Sequence, residues 1–160
     1  MPKNIDAIDI RILDALQHNA DLSSAELGKK AGISSTPCWR RVKALEERGV
    51  LGKKVRLLNR QALGLGFVAF VNVSLSSQGR QSLGQFERAV LKMPEVVECH
   101  LVTGTMDYIM KVVTVDISAY QDFVRTVLTP LHSIGEVHSY VGLTEVKAAT
   151  TQPLGLLKIR

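Results

Sequence analysis

The chain is poor in cysteine. It has two in 160 residues, Cys38 and Cys99, far apart and without a CxxC partner. That argues against a disulfide framework and makes free thiols the expectation. No Cys/His spacing resembles a zinc motif, so no metal or cofactor is expected. No run of about 18 apolar residues occurs, so no membrane span is expected. The opening MPKNIDAIDIR is charged at once and lacks an apolar signal region, which favours the cytoplasm. Serine hydrolase chemistry has no strand-turn-helix elbow to support it.

Acidic charge is short where basic charge is dense. The net charge is +5. Residues 1–60 hold 12 Lys and Arg against 7 Asp and Glu, whereas residues 61–160 hold 8 against 8. The whole excess sits in the first third of the chain. A basic module joined to a neutral one suggests nucleic-acid contact at one end and a different task at the other.

The first third reads as helices. Ile8, Ile12 and Leu16 are four apart, with Ile5 and Leu13 on the same side and Asp6 as N-cap. Ser23 with Glu26 three later makes a capping box, and Gly32 stands where a helix-ending glycine belongs. Ser34 then caps a third helix to about Arg48, with Pro37 tolerated in its first turn. The three read as a helix-turn-helix. VLGKKVRLL, residues 50–58, reads as a short basic hairpin or wing, and NRQALGLG, 59–66, as a linker.

On the third helix, Cys38, Val42 and Leu45 form the inward stripe, with Thr36, Arg40 and Lys43 opposite and Trp39 and Arg41 on the flanks. Ser34, Ser35 and Thr36 lie at the N-terminus, where free N–H groups and the helix dipole favour phosphate. Arg40 and Lys43 are spaced for a major groove, and Arg can pair bidentately with guanine. Lys53, Lys54 and Arg56 on the wing add phosphate attraction, and Arg41 completes the DNA-contact set. The bland alternative is a solvated helix. Trp39 reads more simply as packing on the first helix than as base stacking, and Cys38 as a small core residue.

From residue 67 the period changes. Strands are expected at 67–75, 96–103, 107–115 and 137–146, and helices at 81–93 and 117–128. Tyr120, Phe123, Val127 and Leu128 are expected inward on the second of these helices. The order βαββαβ is that of a ferredoxin-like domain. Both sheet faces carry apolar residues, and two helices cover only one, so the other face calls for a second copy. The overall class is α+β. Domains are expected at 4–58 and 67–150, with a tail at 151–160 that either swaps onto a neighbour or stays loose.

Over nearly its whole length the sequence resembles the Lrp/AsnC (feast/famine) regulators. The residues that carry the likeness are IDAIDIRILDALQHNA, LGKKAGISSTPCWRRVKALEERGVL, CHLVTGTMDYIMKV and YVGLTEVK. The resemblance implies a winged helix-turn-helix regulator of double-stranded DNA, associated with the nucleoid. It also implies homodimers assembling to tetramers or octamers, and a small effector, usually an amino acid. The effector would lie near the glycine turn Thr103, Gly104, Thr105, Met106, Asp107 and Tyr108, with Tyr140, Val141 and Gly142 as further candidates. Gly104 can expose backbone N–H groups to a carboxylate, and Asp107 can accept from an ammonium. Equally, Gly104 and Asp107 can simply make a hairpin turn. Family members often carry an aromatic residue where Met106 stands. An effector-independent DNA-bending protein is a second reading. A tetrapyrrole decarboxylase on this fold is a remote third. It would need basic residues or histidines in a pocket, and His100 and His138 are the strand histidines that could approach each other. No catalytic residue is expected.

Overall fold

The third helix sets the first unit's geometry, and a four-stranded sheet sets the second's. The structure is a computed structural model that describes residues 5–76 and 79–157. Residue 4 of the expected first domain and the last three residues of the expected tail lie outside this range. The chain divides into two units. The first runs to Leu57 and takes in the chain again from Lys147; the second is Leu58–Val146.

In the first unit, α1 (Ala7–His18), α2 (Ser24–Ala31) and α3 (Ser35–Glu47) enclose one small core. Ile12, Leu13, Leu27, Ala31, Cys38 and Leu45 are buried there, with Ile5, Ile8, Leu16 and Val42 packed around them. The α2–α3 turn is tight. Gly32 ends α2 at φ +73°, which favours glycine. Ile33 N–H donates to the Gly28 carbonyl at 2.9 Å. A Cβ on Gly28 would stand 2.7 Å from the Ile33 carbonyl oxygen, so only glycine fits there. The expected hairpin over 50–58 is not formed. Those residues hold no strand, and Gly52 through Leu58 are exposed, so no partner strand exists to satisfy a ladder. The C-terminal segment packs on this unit within the same chain. Leu154 joins its core, and Gln152 N–H donates to Gln17 Oε1 at 2.8 Å.

In the second unit, β1 (Phe67–Leu75), β2 (Val96–Leu101), β3 (Tyr108–Thr114) and β4 (Ile134–Val141) form one antiparallel sheet in the order β2-β3-β1-β4. With α4 (Gly79–Val90) and α5 (Ile117–Phe123) this is the ferredoxin-like βαββαβ arrangement. Ala69, Val71, Val73, Phe86, Tyr108, Met110, Val112, Tyr120, Phe123 and Leu128 make the core. Alternation puts β1 residues 69, 71 and 73 on the core side.

Among the boundaries that differ from expectation, two have a clear physical cause. β4 ends at Val141, not Val146, because its partner β1 begins at Phe67. Val141 pairs with Ala69, Gly142 N–H reaches the Val68 carbonyl, and beyond that no strand is left to bond. The helix after β3 is α-helical only to Phe123 and then takes a π turn, Val124–Leu128, with Thr129 N–H donating to the Val124 carbonyl. The wider turn shifts the phase, so Leu128 is buried and Val127 lies exposed.

The face of the sheet away from the helices carries Val68, Phe70, Ile109, Val113 and Tyr140 beside Glu98, Lys111, His100 and His138. Phe70 is 43% and Tyr140 57% exposed. His100 and His138 share one cross-strand row through Ile109 and Asn72. They are three strand spacings apart, about 14 Å, so within one chain they do not form a pair.

Candidate DNA interface and effector turn

The three helix N-termini of the first unit are built differently. At α1, the Asp6 side chain accepts from the Ile8 and Asp9 N–H groups, and the Asp9 side chain accepts from the Asp6 N–H. At α2, Ser23 and Glu26 make the same reciprocal box. Both ends are thus satisfied by their own chain. At α3, Ser34 holds the N-cap position but its side chain makes no capping bond. Pro37 has no N–H to give, and Ser34, Ser35 and Thr36 are exposed. This end keeps donors for an outside acceptor.

Arg40 projects from the exposed side of α3, and it makes no ion pair among the described residues. Lys43 is exposed and lies 3.3 Å from Glu46, a surface pair that water screens and a phosphate can replace. Arg41 is different. Its Nη1 donates to Asp6 Oδ2 and to Asp9 Oδ1, each at 2.7 Å, and Asp9 is buried. The Asp9 and Asp6 carboxylates raise its pKa. Asp6 in turn is held below the usual carboxylate range by the Asp9 N–H and then by Arg41. Arg41 is therefore committed inside the unit. Lys53, Lys54 and Arg56 are exposed on the segment after α3, with Lys54 paired to Asp21. That pair lowers the Asp21 pKa. Trp39 is 53% exposed beside Val42, so it does not fill the core.

In the second unit, Gly104 takes φ +130° and a Cβ there would meet nothing within 4 Å. The turn is open, and Thr103 and Thr105 are exposed beside half-buried Met106 and Asp107. Asp107 is partly spent on the fold. Its Oδ2 accepts the Leu75 N–H at 2.7 Å, and its own N–H donates to Val73. It therefore caps the end of β1, and Oδ1 is the oxygen left for another donor. The Tyr108 side chain lies away from the turn. Its ring is in the core, 4.6 Å from Phe86 between centroids, and its hydroxyl donates to Glu87. Burial first, then Glu87, pushes its pKa up to about 12. Only its backbone faces the turn's chemistry. Tyr140 and Val141 are exposed on β4, and Gly142 follows, pinned to Val68.

Cys38 is buried and Cys99 half-buried, and burial raises both thiols. Among the described residues no three His, Cys, Asp or Glu side chains group as metal ligands. No helix among them is long and apolar enough to cross a membrane. Two functional features escaped sequence reasoning. Gly28 reads as an ordinary weak helix residue, although its place four before Gly32 was a usable signal. Asp9 gave no signal beyond its spacing three after Asp6.

Two family descriptions match the chain. The Lrp/AsnC ligand binding domain matches residues 68–152, and the winged helix-turn-helix DNA-binding family matches residues 5–51. The leucine-responsive regulatory protein of Haemophilus influenzae is 38% identical over 145 residues, covering 91% of this chain and 87% of its own. The chain belongs to the Lrp/AsnC family. The glutamate uptake regulatory protein of Zymomonas mobilis is 35% identical over 96% of this chain and 93% of its own. A Neisseria meningitidis transcriptional regulator, solved as a complex with L-Met, superposes with a TM-score of 0.90. It is 34% identical, covering 94% of this chain and 97% of that one. As an Lrp/AsnC protein, the chain is a DNA-binding transcriptional regulator with a ligand binding domain.

Proposed function

We propose that this Lrp/AsnC regulator reads DNA through α3, with Arg40 and Lys43 at base edges. Ser34, Ser35 and Thr36 receive a phosphate at the helix N-terminus, and Lys53, Lys54 and Arg56 add phosphate attraction. The observation that carries this reading is the uncapped, exposed N-terminus of α3 beside two fully boxed helices. Arg40, one turn further along and without an ion pair among the described residues, supports it. Arg41 belongs to the DNA unit's frame on this reading.

The effector is an amino acid held at the Thr103–Asp107 turn, with Tyr140, Val141 and Gly142 nearby. Gly104 gives backbone donors for the carboxylate, and Asp107 Oδ1 accepts from the ammonium. Leucine, glutamate and methionine, named for the relatives, are the first to try. The apolar, helix-free sheet face supports a homodimer that assembles to tetramers or octamers. The protein works in the cytoplasm on the nucleoid, without catalysis or cofactor. A thermal-shift screen against the twenty amino acids tests the effector half, since a ligand that binds only the folded state raises its stability. One clear shift that disappears in Asp107→Ala is expected. No shift at millimolar ligand returns the turn to a purely structural role and favours the effector-independent reading.

A further inference from the structure

Asp6 and Asp9 each divide their two oxygens between two tasks. Asp6 uses Oδ1 for the Ile8 and Asp9 N–H groups and Oδ2 for Arg41. Asp9 uses Oδ2 for the Asp6 N–H and Oδ1 for Arg41. The outward oxygens of one capping box therefore converge on a single guanidinium nitrogen. Arg41 comes from α3, one residue after Arg40 and two before Lys43. Asp9 is 5% exposed, so its charge is held away from water and depends on Arg41. Arg41 itself is only one-third exposed.

A helix of three and a half turns needs fixed rotation about its own axis if two of its side chains are to meet base edges. Hydrophobic packing along Cys38, Val42 and Leu45 sets its depth but tolerates small rotations. Two 2.7 Å charge-assisted bonds to one nitrogen do not, because their strength falls steeply with distance and angle. We infer that Arg41 is a positioning residue for DNA reading: with Asp6 and Asp9 it clasps α3 to the N-terminus of α1 and thereby fixes where Arg40 and Lys43 point. This rests on α3 being the DNA-contacting helix.

The inference makes a prediction opposite in sign to simple electrostatics. Removing an acidic charge from a DNA-binding unit should strengthen binding to any duplex. If the carboxylates set the aim of Arg40, removing one must weaken the true site while leaving or strengthening other DNA. The probes are a duplex enriched by the full-length protein from a random-sequence pool, and a scrambled duplex of the same length. Affinities are measured for the wild type, Asp9→Asn, Asp6→Asn and Arg41→Lys, with a thermal melt of each.

The expected result is a roughly ten-fold fall in the ratio of enriched to scrambled affinity for Asp9→Asn. Asp6→Asn, at an exposed position, should show a smaller fall in a folded protein. Arg41→Lys keeps the charge but loses the planar fork, and its ratio should fall too. Tighter binding of both duplexes by Asp6→Asn and Asp9→Asn at an unchanged ratio would overturn the clasp. So would an Arg41→Lys protein with wild-type affinities, which would make Arg41 an ordinary phosphate contact. If Asp9→Asn fails to fold, Asp6→Asn and Arg41→Lys decide the matter alone. Failure of the wild type to enrich any sequence would instead overturn the DNA reading, and the clasp with it.

Discussion

The two units solve opposite problems with the same kinds of residue. The first has a small core and a large charge excess, and spends its acids on ordering its own helices: Asp6 and Asp9 at α1, Glu26 at α2, Asp21 on Lys54. What remains unspent is basic and lies on α3 and the segment after it. The second holds 6 basic residues against 8 acidic ones, has a larger core, and leaves apolar side chains exposed on the free sheet face. On the function proposed above, the first unit is finished except for an anion, and the second except for another apolar surface and a small ligand. The lesson is that function shows where a unit leaves its own chemistry incomplete.

The turn between α2 and α3 is where this comparison breaks hardest. Gly28→Ala puts a methyl 2.7 Å from a backbone oxygen that the motif cannot move without reopening the turn. It should cost about 1–3 kcal/mol in a thermal melt and weaken DNA binding along with it. A neutral outcome would mean the helices approach less closely than described.

Next in size is the response to pH, which should separate the units. Asp6, Asp21 and Glu26 all have pKa values lowered in the folded state, and all lie in the first unit. Their contribution is present above the carboxylate range of about 4, and is lost as pH falls through the lowered values. Tyr108 is raised to about 12 from 10.0, so its contribution is complete below pH 10 and is lost as pH rises through 12. Acid should therefore loosen the first unit, whereas alkali acts on both, through the raised Cys38 thiol in the first and Tyr108 in the second. The reporters are already segregated: the single Trp39 lies in the first unit, and Tyr108, Tyr120 and Tyr140 lie in the second. Tryptophan fluorescence should change first on acidification, and phenolate absorbance should mark the alkaline transition. Simultaneous loss of both units on acidification would contradict the division.

The smallest effect belongs to the exposed segment after α3. Lys53→Ala should weaken binding to all duplexes alike and flatten the slope of log affinity against log salt by about 0.9. An unchanged slope would remove this segment from the interface.

Much of this was legible in the sequence because local chemistry and tertiary structure agree. Apolar spacing in α1 and α3 marked Ile12, Leu13, Cys38 and Leu45, which are buried, and Ile5, Ile8, Leu16 and Val42, which pack partly buried around them, and alternation in β1 placed Ala69, Val71 and Val73 inward. The Ser23–Glu26 box was visible as spacing. Features set by distant partners were not. The end of β4 depends on where β1 begins, which alternation through Val146 conceals. The π turn carries Val127 outward with no local signature. Tyr108 sits beside the candidate turn in sequence, yet strand alternation carries its ring to the other side. Arg41 looks like its neighbour Arg40 until Asp6 and Asp9, more than thirty residues away, are found beside it.

The most direct test of the account is the Arg40→Ala protein, titrated with the enriched and scrambled duplexes at one salt concentration. Base reading by Arg40 predicts a loss of about 1–3 kcal/mol on the enriched duplex, little change on the scrambled one, and a relaxed preference at the bases it contacts. Equal losses on both duplexes would contradict it and reduce Arg40 to a phosphate contact.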